Sequence, residues 1–293
     1  MKPMIKSIIV SFLIAILCLH ASDPEEITIM RDSLPLKGKF YTVVGSGYYP
    51  TVLLLQGFTG NENDVLGIGE KLEATGFNAV TFNYSGTYKS DGEFSWDNTL
   101  KDIQAVLNYL HQPEIIHKFH IDTTNIFLGG YCYGGGMALS YAIKHPEINR
   151  VFSIAGTDHG EFLIDYANNP DMRKIIDNWF GDLKKKPEVV RFEDNNTPKE
   201  YAEMKYHEQN PIYHLIKNAD VLAKDNILLI CGWDDKNISI ERFMLPLYRA
   251  IIKAGGQNLV IKAFQDDHAF KNSRYEIAEA IIDWINFNII SEQ

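Results

Sequence analysis

The segment Asn125-Ile126-Phe127-Leu128-Gly129-Gly130-Tyr131-Cys132-Tyr133-Gly134-Gly135-Gly136-Met137-Ala138-Leu139 joins a short apolar run to a helix-forming one through a cluster of glycines. Its composition predicts a strand over 125–128 and a helix over 137–144. With so few residues between them, the chain turns directly from strand to helix, and the central residue is forced into a strained backbone conformation. A side chain two positions before or after it would collide with the neighbouring strand or helix, so glycine belongs at 130 and 134 and only Cys132 projects.

Gly130-x-Cys132-x-Gly134 has the form of the nucleophile elbow Gly-x-Ser-x-Gly, with cysteine in the place of serine. A thiol at a helix N-terminus meets partial positive charge and free amides, both of which favour the thiolate. On this segment alone a second reading stays open, in which Cys132 is a small buried hydrophobe in a glycine-rich turn.

Outward from the elbow, short strand-like runs (40–44, 51–55, 79–83, 125–128, 151–154, 227–231, 259–264) alternate with amphipathic stretches (65–74, 99–110, 137–144, 241–253, 275–288). Leu53-Leu54-Leu55 and Ile227-Leu228-Leu229-Ile230 are apolar without alternation, as in strands covered on both faces of a parallel sheet. The βα rhythm breaks once, over 157–225, where helical signals at 172–180 and 199–207 occur without a strand. This stretch reads as an inserted helical lid. Its aromatics Tyr166, Trp179, Phe180, Tyr201, Tyr206 and Tyr213 either roof a pocket at the carboxyl edge of the sheet or fasten the insertion to the core.

Acyl transfer by a thiol needs a base within hydrogen-bond reach and an acid to orient that base. After strand 227–231 comes Gly232-Trp233-Asp234-Asp235-Lys236-Asn237-Ile238, and after strand 259–264 comes Gln265-Asp266-Asp267-His268-Ala269-Phe270. The order along the chain is nucleophile, acid, histidine. His159, just past strand 151–154, could line the pocket, while His111, His117, His120 and His145 fall in or near helix ends and His207 and His214 in the insertion.

From about Thr51 to Ile290 the sequence resembles the α/β-hydrolase superfamily. The resemblance rests on Leu53-Leu54-Leu55-Gln56-Gly57-Phe58-Thr59-Gly60, on Gly76-Phe77-Asn78-Ala79-Val80-Thr81-Phe82-Asn83-Tyr84-Ser85-Gly86 with Ser90-Asp91-Gly92, on the elbow, on Gly232 to Asp235 and on His268. It implies an α/β fold with a mostly parallel central sheet flanked by helices, the lid entering after the sixth strand of that fold. It also places the acid on Asp235, three residues after Gly232, with Asp234 in reserve, and the base on His268. The backbone amides of Tyr133 and Phe58 would form the oxyanion hole. Family members often carry histidine where Gln56 stands, so the bonds that hold this loop should differ here. The cysteine resembles the dienelactone hydrolase group, but that group is compact, and its carboxylate-binding arginines have no clear counterpart. The insertion is similar to those of lidded esterases and of serine peptidase catalytic domains.

The expected activity is hydrolysis of an ester, lactone or amide through a thioester acyl-enzyme, with no metal or organic cofactor required. Small-molecule or peptide acyl compounds are the expected substrates. Two rival readings use the same fold: an acyltransferase with the same triad, and a binding protein whose elbow no longer catalyses. A metal site built from Asp158-His159 with Asp266-Asp267-His268 is a further alternative.

The rest of the composition narrows the class. A chain of 293 residues, 45% hydrophobic and 23% charged, is that of a folded globular protein. Lys2 and Lys6 precede an almost unbroken apolar run, 7–19, which is short for a spanning helix and reads as a secretory signal cleaved after Ala21. A single domain over 22–293 would remain, exported to the periplasm or the medium. A lipid on Cys18, which follows the bulky Leu17, or an uncleaved anchor are the alternatives. Without the two leader lysines, 38 acidic residues face 26 basic ones, which excludes sequence-independent nucleic-acid binding. Two cysteines, Cys132 and Cys231, would then remain. The superfamily's strand order sets them two strands apart, about 9–10 Å at ordinary strand spacing, whereas a disulfide needs Cα atoms within roughly 7 Å.

Overall fold

The computed structural model describes residues 23–193, 197–203 and 211–290. The leader expected over 1–21, with Cys18, lies outside them, as do Tyr206, His207 and the side chain of Tyr201. Eight strands form one sheet in the order β1-β2-β4-β3-β5-β6-β7-β8. They are β1 (Glu25–Arg31), β2 (Leu34–Tyr41), β3 (Tyr49–Leu55), β4 (Asn78–Phe82), β5 (Ile121–Tyr131), β6 (Arg150–Ile154), β7 (Asn226–Gly232) and β8 (Leu259–Phe264). β1 and β2 run antiparallel to their neighbours, and every pair from β4 onward is parallel.

The central strands are apolar for the reason their sequences suggest. Val52 to Leu55 and Ile227 to Ile230 are fully buried between two helical layers, and each such leucine or isoleucine contributes on the order of 1.5–3 kcal/mol by leaving water. Helices α1 (Ile68–Ala74), α2 (Trp96–Leu110), α3 (Pro113–Phe119) and α4 (Tyr133–Lys144) connect β3 through β6. The Ser95 side chain caps α2 by accepting from the Asn98 amide at 3.1 Å. Between β6 and β7 lie α5 (His159–Asn168), α6 (Pro170–Leu183) and α7 (Pro198–Glu203), followed by short turns. No strand occurs among the described residues of this stretch, but isolated bridges join Val190 to Thr87 and Phe192 to Phe94, tying it to the loop after β4.

Several elements depart from the sequence reading, the unexpected α3 among them. β1 was not expected, because its alternation in Glu25-Glu26-Ile27-Thr28-Ile29-Met30-Arg31 is short and opens on two charges. β2 ends where the 40–44 strand was expected to begin: Lys37 and Lys39 mask an alternating strand whose Leu36 and Phe40 face the core. α5 begins at His159, ahead of the helical signals read at 172–180, since the Asp158 side chain caps it by accepting from the Glu161 amide at 3.0 Å. The helix expected over 241–253 is interrupted. A π-helical turn, Ile240–Met244, precedes Leu245–Lys253, and Pro246 at the start of the second piece brings no amide to the ladder.

Candidate active site

β5 delivers Cys132 to the carboxyl edge of the sheet, between β3 and β6. Its φ of 53° and ψ of −117° place it at a strained turn that immediately starts α4, at a cost on the order of 1–3 kcal/mol. The turn is held by backbone bonds: the Cys132 amide donates to the Ile154 carbonyl at 2.8 Å, and its carbonyl accepts from Gly136 and Thr157, both at 3.2 Å. The glycines are there for contact. A Cβ on Gly130 would lie 2.6 Å from the Gly134 carbonyl carbon, and one on Gly134 would lie 2.5 Å from the carbonyl oxygens of Leu55 and Gln56. Gly129, which the elbow reading left unexplained, gives its space to the ring of Phe152 on β6.

The acid loop and the histidine loop follow β7 and β8 and meet each other. His268 Nδ1 bonds Oδ2 of Asp235 at 2.7 Å, and Oδ1 of the same carboxylate accepts the amides of Asn237 and Ile238 at 2.8 and 2.9 Å. The Asp235 side chain is wholly shielded, while that of His268 is 19% exposed. On its other side the imidazole is close enough to the Cys132 thiol for the two to interact electrostatically. Burial opposes charge on His268, but the bond to Asp235 and the proximity of Cys132 outweigh it and push the imidazole up to about 10. Asp234, the reserve acid, faces outward and accepts from Gln265 Nε2 at 2.7 Å. Cys132, Asp235 and His268 are thus brought together, and Asp234 is not.

The loop after β3 runs past Cys132, with a Cβ on Gly57 falling 3.5 Å from Cys132 Cβ. Its fastening answers the question raised by Gln56. That side chain donates through Nε2 to the Asn63 carbonyl, closing the loop on itself, and the Gln56 backbone carbonyl accepts from the buried Tyr84 hydroxyl at 2.6 Å. The Phe58 ring is the hub of an aromatic cluster, with Phe94 at 4.8 Å, Trp179 at 5.5 Å, Phe180 at 5.6 Å and Tyr133 at 5.8 Å. Trp179 and Phe180 come from α6, so two of the aromatics singled out in the insertion stand over Phe58. Tyr166 and Tyr213 do not: Tyr166 is buried and bonded to Asp177, and Tyr213 donates to Asp97 at 2.8 Å. Phe94 and Phe192 were missed, because nothing in their spacing distinguishes them from core residues.

Asp158 and His159 are placed away from His268. The Asp158 carboxylate accepts the amides of Glu161 and Ile216, both at 3.0 Å, and burial pushes it up to about 6 against those bonds. His159 is buried edge-on to Trp96 and Tyr133, at 4.8 and 5.0 Å, and burial lowers it to about 3, so it is neutral. Asp266 is likewise engaged, accepting from the Asp267 and Asn272 amides and the Ser273 hydroxyl. Among the described residues no three histidine, cysteine or carboxylate side chains gather as a metal site, and the ligand set suggested by the two Asp-His segments does not assemble. His111 and His117 bond the Leu107 carbonyl and the Tyr48 hydroxyl, and His145 bonds Glu147. Cys231 lies on β7 with β6 between it and β5, as the strand order implied, and both it and Cys132 are free thiols. Burial, with Asp235 adding, pushes the Cys231 thiol up to about 12. An open cavity of about 510 Å³ beside the imidazole is lined by Asp234, Lys236, Asn237, Asp267, His268 and Ala269.

A family model for the alpha/beta hydrolase fold matches residues 50–210, more than half of the chain, and the chain belongs to that family. Among curated proteins it is similar to an uncharacterised 31.7 kDa protein of the traX-finO intergenic region of Escherichia coli, 29% identical over 133 residues, 44% of this chain and 45% of that one. It is also similar to Cutinase 2 of Thermobifida cellulosilytica, 24% identical over 112 residues, 38% of this chain and 41% of that one. The matches thus span less than half the length of these relatives. Among solved structures, Est1E from Butyrivibrio proteoclasticus superposes with a TM-score of 0.64 at 16% identity, covering 90% of this chain and 99% of that one. The Pyrococcus furiosus esterase Pf2001 gives 0.62 at 16%, covering 90% of each chain. These structural likenesses extend the same fold over most of the molecule.

Proposed function

We propose that the protein is an exported hydrolase that cleaves an ester through a thioester on Cys132. The observation that carries this reading is the series Asp235–His268–Cys132, in which Asp235 is bonded to the imidazole and the strained, projecting residue of the elbow is a thiol beside a histidine whose charge is stabilised. Cutinases and esterases among the similar proteins favour an ester over an amide.

In this mechanism His268 takes the thiol proton of Cys132, giving thiolate and imidazolium. Sγ attacks the acyl carbonyl carbon, the carbonyl π pair moves onto oxygen, and the amides of Phe58 and Tyr133 hold that oxyanion. On collapse the C–O bond to the leaving group breaks, and Nε2 of His268, the nitrogen left free by Asp235, gives its proton to the departing oxygen. His268 then takes a proton from water as it attacks the thioester. The acid leaves, and thiolate and imidazolium are restored. Protein groups and water balance every step.

The Cys-His-Asp set resembles that of dienelactone hydrolases, while residues 157–225 act as the lid, with Trp179 and Phe180 over Phe58 walling the acyl side. The apolar run 7–19 exports the chain and leaves with the leader. Competitive labelling with iodoacetamide near neutral pH tests the nucleophile: Cys132 should react much faster than Cys231, and equal rates would overturn the reading.

A further inference from the structure

Asp235 alone does not set the geometry between base and thiol. Its bond fixes one atom of the imidazole, Nδ1, and leaves the ring free to tilt about it, while His268 itself sits on a loop. Asp266 fastens that loop through Asp267, Asn272 and Ser273, on either side of His268 but not at it. The contact at His268 comes from Tyr131. The Tyr131 hydroxyl donates a 2.7 Å bond to the His268 carbonyl, and its ring lies 5.1 Å from the imidazole at 36°. Tyr131 is the last residue of β5 and shares a peptide with Cys132. Its ring is braced against Phe270, at 6.4 Å, and fills the space before Gly57, where a Cβ would lie 3.1 Å from Tyr131 Cδ1. One side chain therefore touches the histidine loop and the loop bearing Phe58, and is covalently next to the nucleophile position.

We propose that Tyr131 is a positioning residue that locks the His268 loop to the nucleophile elbow, so that the imidazole keeps one distance and tilt to Cys132. The proposal rests on the reading of Cys132 as nucleophile. Burial, with Cys132 and Asp235 adding and Arg274 opposing, raises the Tyr131 phenol well above its ordinary range, so it remains a donor wherever the pair works. Asp267 and the His268 imidazole are the other titratable groups facing it. A 1 Å error in such a constellation costs on the order of 100-fold in rate, and a loop left to move samples such errors.

The test uses the full chain as wild type, Tyr131→Phe, His268→Ala and Tyr141→Phe. The last loses a hydroxyl bond to Gln104, remote from the site. Iodoacetamide alkylation of Cys132 is followed by intact and peptide mass from about pH 5 to about pH 10, and turnover of p-nitrophenyl acetate is split into kcat and KM. The buried Cys231 stays unlabelled in folded protein and reports folding in the same spectra. Tyr131→Phe is expected to slow Cys132 alkylation near pH 6 by about tenfold, move the inflection up by about one pH unit, and lower kcat about tenfold with KM within about twofold. Tyr141→Phe should match wild type. A folded Tyr131→Phe with the wild-type alkylation profile and kcat overturns the proposal. If His268→Ala shifts the profile and Tyr131→Phe does not, the Cys132–His268 pair stands and the lock alone falls. If His268→Ala also leaves it unchanged, the pair fails and takes the lock with it.

Discussion

Asp235 spends one carboxylate oxygen on its own loop and the other on His268: Oδ1 takes the amides of Asn237 and Ile238, and Oδ2 lies 2.7 Å from Nδ1 of the imidazole. The loop bonds fix the direction in which Oδ2 points, and that direction fixes which histidine nitrogen is left for chemistry. Asp235→Asn should therefore lower kcat by about 10²–10⁴-fold. Asp234→Asn, one residue away but bonded to Gln265 in solvent, should change it by less than about twofold. Steady-state rates of the two variants decide the assignment, and the opposite ranking would move the acid to Asp234.

The raised imidazole also predicts a pH dependence of stability. A histidine whose folded value lies above its unfolded one adds stability in full below the unfolded value of about 6.5. That contribution is lost as pH rises through about 10, the value set against burial by Asp235 and Cys132. Urea midpoints of wild type and His268→Gln should thus differ most on the acid side of this window and converge toward its upper end. A gap that widens with rising pH would contradict the charged pair.

Two glycine substitutions should act in opposite directions. Gly134→Ala drives a methyl to 2.5 Å from two backbone oxygens of the loop bearing Phe58, and neither can move without moving the elbow. A loss of about 2 kcal/mol or more, with loss of activity, is expected. Gly181→Ala, in α6 with nothing within 4 Å of the new methyl, should stabilise by about 0.5–1 kcal/mol. Denaturant midpoints report both.

Arg242, on the π-helical turn, grips α5 through a bidentate bond to Asp165, at 2.9 and 2.7 Å, and a second carboxylate, Glu161, at 2.8 Å. The guanidinium is partly in solvent, so Arg242→Gln should cost only about 1 kcal/mol at low salt. Most of that difference should vanish near 1 M salt. A salt-independent cost would mean that the side chain acts by packing.

How far the sequence could be read differs between the parts of the site. The elbow was legible because a strand that turns straight into a helix always crowds the same two positions: Gly130 meets Gly134 within the turn, and Gly134 meets the end of the neighbouring strand at Leu55 and Gln56. The meeting of Asp235 with His268 was legible because each follows an apolar strand, and strand ends converge at one edge of a parallel sheet. β1 and β2 were obscured because strands at one side of a sheet carry lysine and glutamate in alternation and lose the apolar run. The partners of the site loops were invisible for a different reason. Tyr131 to His268, Tyr84 to Gln56 and Phe192 to Phe94 are contacts between residues far apart in the chain, and a tyrosine or phenylalanine that braces a loop has the same local pattern as one that fills a core.

The most direct measurement is rapid acid quenching of the enzyme during turnover of p-nitrophenyl acetate, followed by peptide mass mapping. The account predicts one acetyl group on Cys132 in wild type, none on Cys231, and a fall in turnover of about four orders of magnitude in Cys132→Ala. An acetyl group on another residue, or turnover undiminished in Cys132→Ala, would contradict it.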